Sequence, residues 1–121
     1  MPFELRVTPG EFLARVRGWG REDFASTAEA IRKLGEDPRL LPGMPVLMDV
    51  RELDYLATPP EVAKFATGPR FFEGHRIALL VRRGAQFGVA RSFVEKSEGG
   101  AARIEVFAEP ELADAWVRAR E

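Results

Sequence analysis

Two segments of this sequence hold residues whose types and spacing could do chemistry. The first is Val46-Leu47-Met48-Asp49-Val50, followed by the polar stretch Arg51-Glu52-Leu53-Asp54 and then by Thr58-Pro59-Pro60-Glu61. Thr58 has the side chain of a helix N-cap, proline suits the first helical position, and Glu61 three residues later completes a capping box. The first role of Thr58 is therefore structural. A hydroxyl at a helix N-terminus is also a place where an added phosphate would be electrostatically sensible. Asp49 lies in an apolar run and must be paired or hydrogen-bonded there. The second segment is Arg82-Arg83-Gly84-Ala85-Gln86. Backbone N–H groups at a helix start, beside two arginines, can hold a phosphate or carboxylate. Ligands of open α/β sheets bind beyond the carboxyl ends of parallel strands. Both segments follow such ends, so Arg51, Asp54, Thr58, Arg82, Arg83 and Gln86 form a candidate interaction or anion rim, with Glu52 beside them.

A third set is apolar. Trp19, Phe65, Phe71 and Phe72, with Leu56, could line a lipid-sized pocket or form an exposed patch; ordinary core packing is the competing role. Catalytic chemistry finds less support. His75 is the sole histidine and there is no cysteine, which disfavours a zinc site and removes thiol chemistry. Ser26, Ser92 and Ser97 lack a nucleophile-elbow context. His75 precedes a strand and is expected as a locally bonded surface residue at the opposite end of the sheet. No glycine-rich phosphate loop is present. No catalytic residue, metal or cofactor is expected, and the chain is read as a non-enzyme.

Composition sets the frame. The 121 residues carry a net charge of -1 from 18 basic and 19 acidic side chains, without the basic excess of a nucleic-acid binder. No apolar run reaches the ~18 to 20 residues of a membrane span. The start of the chain lacks a signal-peptide pattern, so a cytoplasmic location is expected. Residues 1–121 are read as one domain.

The elements that must position these residues follow from periodicity. Phe3, Leu5 and Val7 alternate with polar residues, Thr8-Pro9-Gly10 marks a turn, and Phe12, Ala14 and Val16 alternate again, which predicts a hairpin. Phe24, Ala28, Ile31 and Leu34 recur at helical spacing over 21–35, ended by Gly35 and Pro38. Strands are predicted at 46–50, 77–81 and 103–107. Helices are predicted at 59–67, 85–96, with Gly99-Gly100 as the stop, and 110–118. Phe87, Ala90 and Phe93, and then Leu112, Ala115 and Trp116, are expected to face the core, while Gly88 is expected to permit close helix–sheet approach. The alternation predicts an α/β fold: a mixed, mostly parallel five-stranded sheet with an N-terminal hairpin and four helices.

The segment from Val46 to Glu61 resembles the central stretch of STAS domains, the fold of bacterial anti-sigma-factor antagonists. Those have a buried strand ending in Asp, a loop containing Asp, and an Asp-Ser-Ser-Gly-like turn whose serine is the regulatory phosphorylation site. Asp49 matches the strand aspartate, Asp54-Tyr55-Leu56 the loop, and Thr58 the phosphorylatable position. Ala57 and Pro59-Pro60 depart from that turn. Gln86-Phe87-Gly88-Val89-Ala90-Arg91-Ser92-Phe93, then Ile104-Glu105-Val106-Phe107 and Ala113-Asp114-Ala115-Trp116, resemble the SpoIIAA-like branch, so that the similarity covers roughly residues 40–118. The resemblance implies a bacterial, non-catalytic regulatory or protein-interaction domain with a protein partner and no nucleic acid; a homodimer stays open. The alternative is a small hydrophobic-ligand or lipid-binding module, since the SpoIIAA-like fold resembles that of lipid-transfer domains of the CRAL-TRIO type.

Overall fold

The computed structural model describes residues 3–67, 72, 74–97 and 103–119. Along the chain come β1 (Phe3–Val7), β2 (Ala14–Arg21), α1 (Phe24–Gly35), β3 (Val46–Asp54), α2 (Pro59–Thr67), β4 (Arg76–Leu80), α3 (Ala85–Lys96), β5 (Arg103–Phe107) and α4 (Pro110–Arg118). The strands form one sheet in sequential order. β1 and β2 are antiparallel, and β2 to β5 run parallel. The α/β reading with its N-terminal hairpin therefore holds.

Sequential parallel strands joined by right-handed crossovers carry their helices on one face. Packing here agrees. Ala30 and Leu34 of α1 are buried with Phe3, Leu5, Val16, Val46 and Met48, which point to that face. Alternate residues of the same strands, Leu47, Ala78 and Leu80, point the other way and meet Ala113 and Val117 of α4. Strand alternation thus splits one apolar sequence into two cores.

The bounds of four elements differ from the sequence reading. β2 begins at Ala14, past Phe12, and runs on to Arg21. α1 starts at Phe24, since Asp23 caps it: Ser26 donates its backbone N–H to the Asp23 carboxylate at 2.8 Å, and Ser26 Oγ accepts from the Asp23 N–H at 3.2 Å. Arg21 belongs to β2. β3 does not stop at Val50 but continues through Arg51, Glu52, Leu53 and Asp54, where Trp19, Gly20 and Arg21 of β2 pair with Glu52, Leu53 and Asp54. β4 starts one residue early, at Arg76. The expected stop at Gly99-Gly100 lies outside the described residues.

Side-chain facing also needs correction. The buried residues of α4 are Ala113 and Val117, whereas Leu112 and Ala115 are exposed and Trp116 is half-buried. Trp116 lies between Phe107, at 5.9 Å between ring centroids, and the Arg76 guanidinium, 4.4 Å from its ring. Arg76 also donates to the Trp116 and Ala119 carbonyls at 2.6 and 2.9 Å, closing the C-terminus of α4. A Cβ at Gly88 would meet nothing within 4 Å, so this glycine is not needed for close approach. Gly18 is: a Cβ there would come within 2.7 Å of the Phe3 ring.

Candidate functional site

The rim at the carboxyl ends of β3 and β4 is held by its own polar groups. Gln86, in the first turn of α3, is buried at 7% exposure. Its Oε1 accepts from the Arg82 backbone N–H at 2.6 Å, and its Nε2 donates to the Val50 carbonyl at 2.8 Å. Gln86 therefore ties the start of α3 to β3. The Arg82 guanidinium reaches the same strand, donating to the Leu53 carbonyl at 3.2 Å and to the Arg51 carbonyl. Arg83 pairs with Glu109 ahead of α4. The Arg51 guanidinium binds Asp49 at 3.0 and 2.9 Å, and the Arg51 N–H donates to Asp49 at 3.1 Å. Burial pushes the Asp49 carboxyl up, but the Arg51 bonds and charge outweigh it and hold it below its ordinary value. Asp54 faces Arg21 at 3.6 Å, and Glu52 faces Arg17 at 2.6 Å.

Thr58 sits where the sequence placed it, exposed at the start of α2. Its N–H donates to Glu61 at 3.0 Å and its hydroxyl accepts from the Glu61 N–H at 3.4 Å, a complete capping box. The Tyr55 hydroxyl adds a third bond, donating to Glu61 at 3.1 Å. The Thr58 N–H holds the Glu61 carboxyl below its usual range. Burial and the bond to Glu61 raise the Tyr55 phenol, so it stays protonated and remains a donor.

Directly inward from this rim lies a pocket with a volume of about 160 Å³. Its floor is the sheet face formed by Met48, Val50, Leu79 and Val81. Val62 and Phe65 of α2 form one wall, Val89, Ala90 and Phe93 of α3 another, and Thr27 and Ile31 of α1 a third. Phe24 stacks on Phe65 at 4.8 Å between centroids and braces α2 against α1. Three polar residues interrupt the apolar lining: Tyr55, Gln86 and Thr27. Tyr55 and Gln86 are spent on the bonds above. Thr27 is 5% exposed, and its hydroxyl oxygen has no partner among the described residues.

The architecture matches a solved structure over most of its length. That structure is an uncharacterized protein from the DUF3478 family with a SpoIIAA-like fold, from Shewanella loihica PV-4; it is 16% identical, aligns over 95% of this chain and 91% of that one, and gives a TM-score of 0.55. The fold is SpoIIAA-like. No family model matches the sequence, and no curated protein matches it. At 16% identity the likeness extends to the fold and assigns no residue a role.

The SpoIIAA-like arrangement distributes the sequence candidates unevenly. Of the four aromatic pocket candidates, Phe65 lines the pocket. Trp19 and Phe72 are not among its described lining residues. Trp19 follows the alternation of β2 and stacks under Arg17, whose guanidinium carbon is 4.9 Å from the ring centroid. Phe72 is 4% exposed and packs in the main core with Leu34, Leu40 and Met44. Phe71 lies outside the described residues. Gln86 is a buried tie between elements and not an open rim group. His75 is half-buried and bonded across the fold, not locally, its Nδ1 2.7 Å from the Met44 carbonyl; a carbonyl only accepts, so Nδ1 carries the proton. Among the described residues no group of three or more His, Asp or Glu could hold a metal, and no helix is long and apolar enough to cross a membrane. The sequence reading missed Thr27. Its signal was available: Thr27, Ala30, Ile31 and Leu34 follow helical spacing, which puts a hydroxyl on an apolar stripe.

Proposed function

We propose that the chain is a non-catalytic binding module whose pocket beneath α2 and α3 takes a small, largely apolar ligand. The observation that carries this reading is the pocket itself: about 160 Å³ between the sheet and three helices, with apolar walls. Native cores have few voids larger than a water molecule, and apolar cavities of ~150 Å³ can bind a benzene-sized guest. Pockets for drug-sized ligands begin near ~300 Å³. The guest is therefore ring-sized, and a whole lipid chain would need more room than the pocket holds.

Native mass spectrometry of the purified protein, followed by the denatured intact mass, tests this reading. A small mass carried by the native protein and lost on denaturation is expected. The Ala90→Met variant, whose longer side chain enters the pocket, should not carry it. The same adduct on both proteins would place the ligand elsewhere and end the proposal.

A second reading is a protein contact controlled by phosphorylation of Thr58. One observation favours it: the hydroxyl is exposed at the N-terminus of α2, the positive end of the helix dipole, where added negative charge is favoured. Its test is partner binding by the phosphorylated protein against Thr58→Ala. Equal binding by both would remove Thr58 from the account.

A further inference from the structure

The orphaned hydroxyl of Thr27 gives the pocket a chemical preference. We infer that the pocket selects a ring-sized apolar molecule bearing one neutral hydrogen-bonding group, hydroxyl or carbonyl, which pairs with Thr27 Oγ1. This deepens the ligand-binding reading above and rests on it.

Thr27 has lost its usual way out. A buried helical threonine can bond back to the carbonyl four residues earlier. For Thr27 that carbonyl belongs to Asp23, which already accepts from the Thr27 backbone N–H at 3.1 Å and from Ser26 Oγ at 3.3 Å. Ser26 Oγ thus shares the acceptor four residues back, and the Phe24 carbonyl three residues back receives no bond from Thr27 Oγ1 either. The hydroxyl oxygen is covered and has no partner among the described residues, while other atoms of Thr27 line the pocket. Buried polar groups are nearly always paired, and an exception calls for an explanation.

The surroundings narrow what can pair with it. The Tyr55 hydroxyl is donated to Glu61, and both ends of the Gln86 amide are engaged with the backbone. A bound water needs two to four polar partners, whereas this lining offers one free group. A charged guest would lose its hydration against apolar walls without a counter-charge in the lining. A neutral guest with one polar atom meets each condition: the ring fills the apolar volume and the polar atom meets Thr27. A hydroxyl both donates and accepts, so it can pair with an alcohol or a carbonyl. The oxygen is covered in the rotamer present, so pairing requires Thr27 to turn to its second χ1 well, which a helical threonine can do without backbone movement.

Phenol and toluene are the probes, since they share a ring and differ in one hydroxyl. Both are titrated into wild type, Thr27→Val and Thr27→Ser, followed by methyl NMR of the pocket residues Val62, Leu79 and Val89. Thr27→Val keeps the shape and removes the hydroxyl; Thr27→Ser keeps the hydroxyl. Thr27→Val is expected to weaken phenol by about 3- to 10-fold, the range of one net hydrogen bond, and to leave toluene within about twofold. Thr27→Ser should retain the phenol affinity. If Thr27→Val leaves phenol unchanged, or weakens both probes alike, the polar preference is refuted while the pocket remains a ligand site. If wild type binds neither probe, the ligand-binding reading itself falls, and this inference with it.

Discussion

The rim above β3 and β4 and the pocket inward from it share residues, yet they treat their polar groups in opposite ways. On the rim Arg51 is taken by Asp49, Arg82 by the carbonyls of Arg51 and Leu53, Arg83 by Glu109, and Gln86 by backbone groups on two elements. Each of these groups that could have greeted an anion already has a partner, the Arg83–Glu109 pair being the exposed one. In the pocket the apolar side chains leave space, and the one hydroxyl not used elsewhere, on Thr27, has no partner among the described residues. A saturated polar surface gains little from a ligand, because each new bond must first break an old one. An unfilled apolar volume gains from any guest that fits. Polar residues at a strand end therefore mark a place for binding only after their bonds have been accounted for.

The sharpest way to break this contrast is to remove a rim bond. Gln86→Leu strips partners from the Val50 carbonyl and the Arg82 N–H at once. The expected loss is about 2–4 kcal/mol, since each buried orphan costs about 1–3 kcal/mol. It is read as a fall in the urea midpoint with an unchanged slope. A loss below ~1 kcal/mol would mean that the rim is not saturated in the sense argued here.

Filling the pocket should act the other way. Ala90→Met is expected to raise stability by up to about 1 kcal/mol, as cavity-filling changes commonly do, and to abolish toluene binding. A destabilised variant that still binds toluene would show the space to be elsewhere.

Thr27→Val tests the polar side of the pocket by stability alone. An unpaired buried hydroxyl replaced by a methyl group should leave stability within about 1 kcal/mol of wild type, on the stabilising side. A loss of more than that would reveal a bond at Thr27 and undo the contrast.

The smallest effect concerns pH. Asp49 has a folded pKa below its ordinary value of 3.8. In the acid range the unfolded chain therefore binds more protons than the folded one. Its contribution is present at neutral pH and is lost as pH falls through the folded pKa. Asp49→Asn should have a shallower acid limb than wild type in denaturation midpoints measured from neutral to acid pH. Parallel limbs would show that Arg51 does not stabilise the carboxylate.

Much of the fold could be read from the chain. α2 and α4 begin where prolines fit the first helical turn, and the Thr58–Glu61 box sits at the predicted helix start. β3 was read short because Arg51, Glu52 and Asp54 look like a loop. Arg17 and Arg21 on the neighbouring strand make that charged extension tolerable, and such pairing across elements leaves no local trace. The facing of α4 was misjudged because large side chains were favoured. Small Ala113 and Val117 pack against the sheet, while Leu112 at 57% exposure points away. For the site, residue types pointed to the rim but could not show that Arg82 and Gln86 were already engaged. The pocket needs side chains from three helices and three strands, and only Phe65 was named in advance as lining it.

The central claim is most directly tested by titrating toluene into the wild-type protein and Ala90→Met while following the methyl signals of Val62, Leu79 and Val89. The account predicts saturable shifts at these methyls in wild type, no comparable shifts at Val46 or Val117 in the cores outside the pocket, and none of the pocket shifts in Ala90→Met. Unsaturable drift spread over the whole protein, or equal saturation in both proteins, would contradict it.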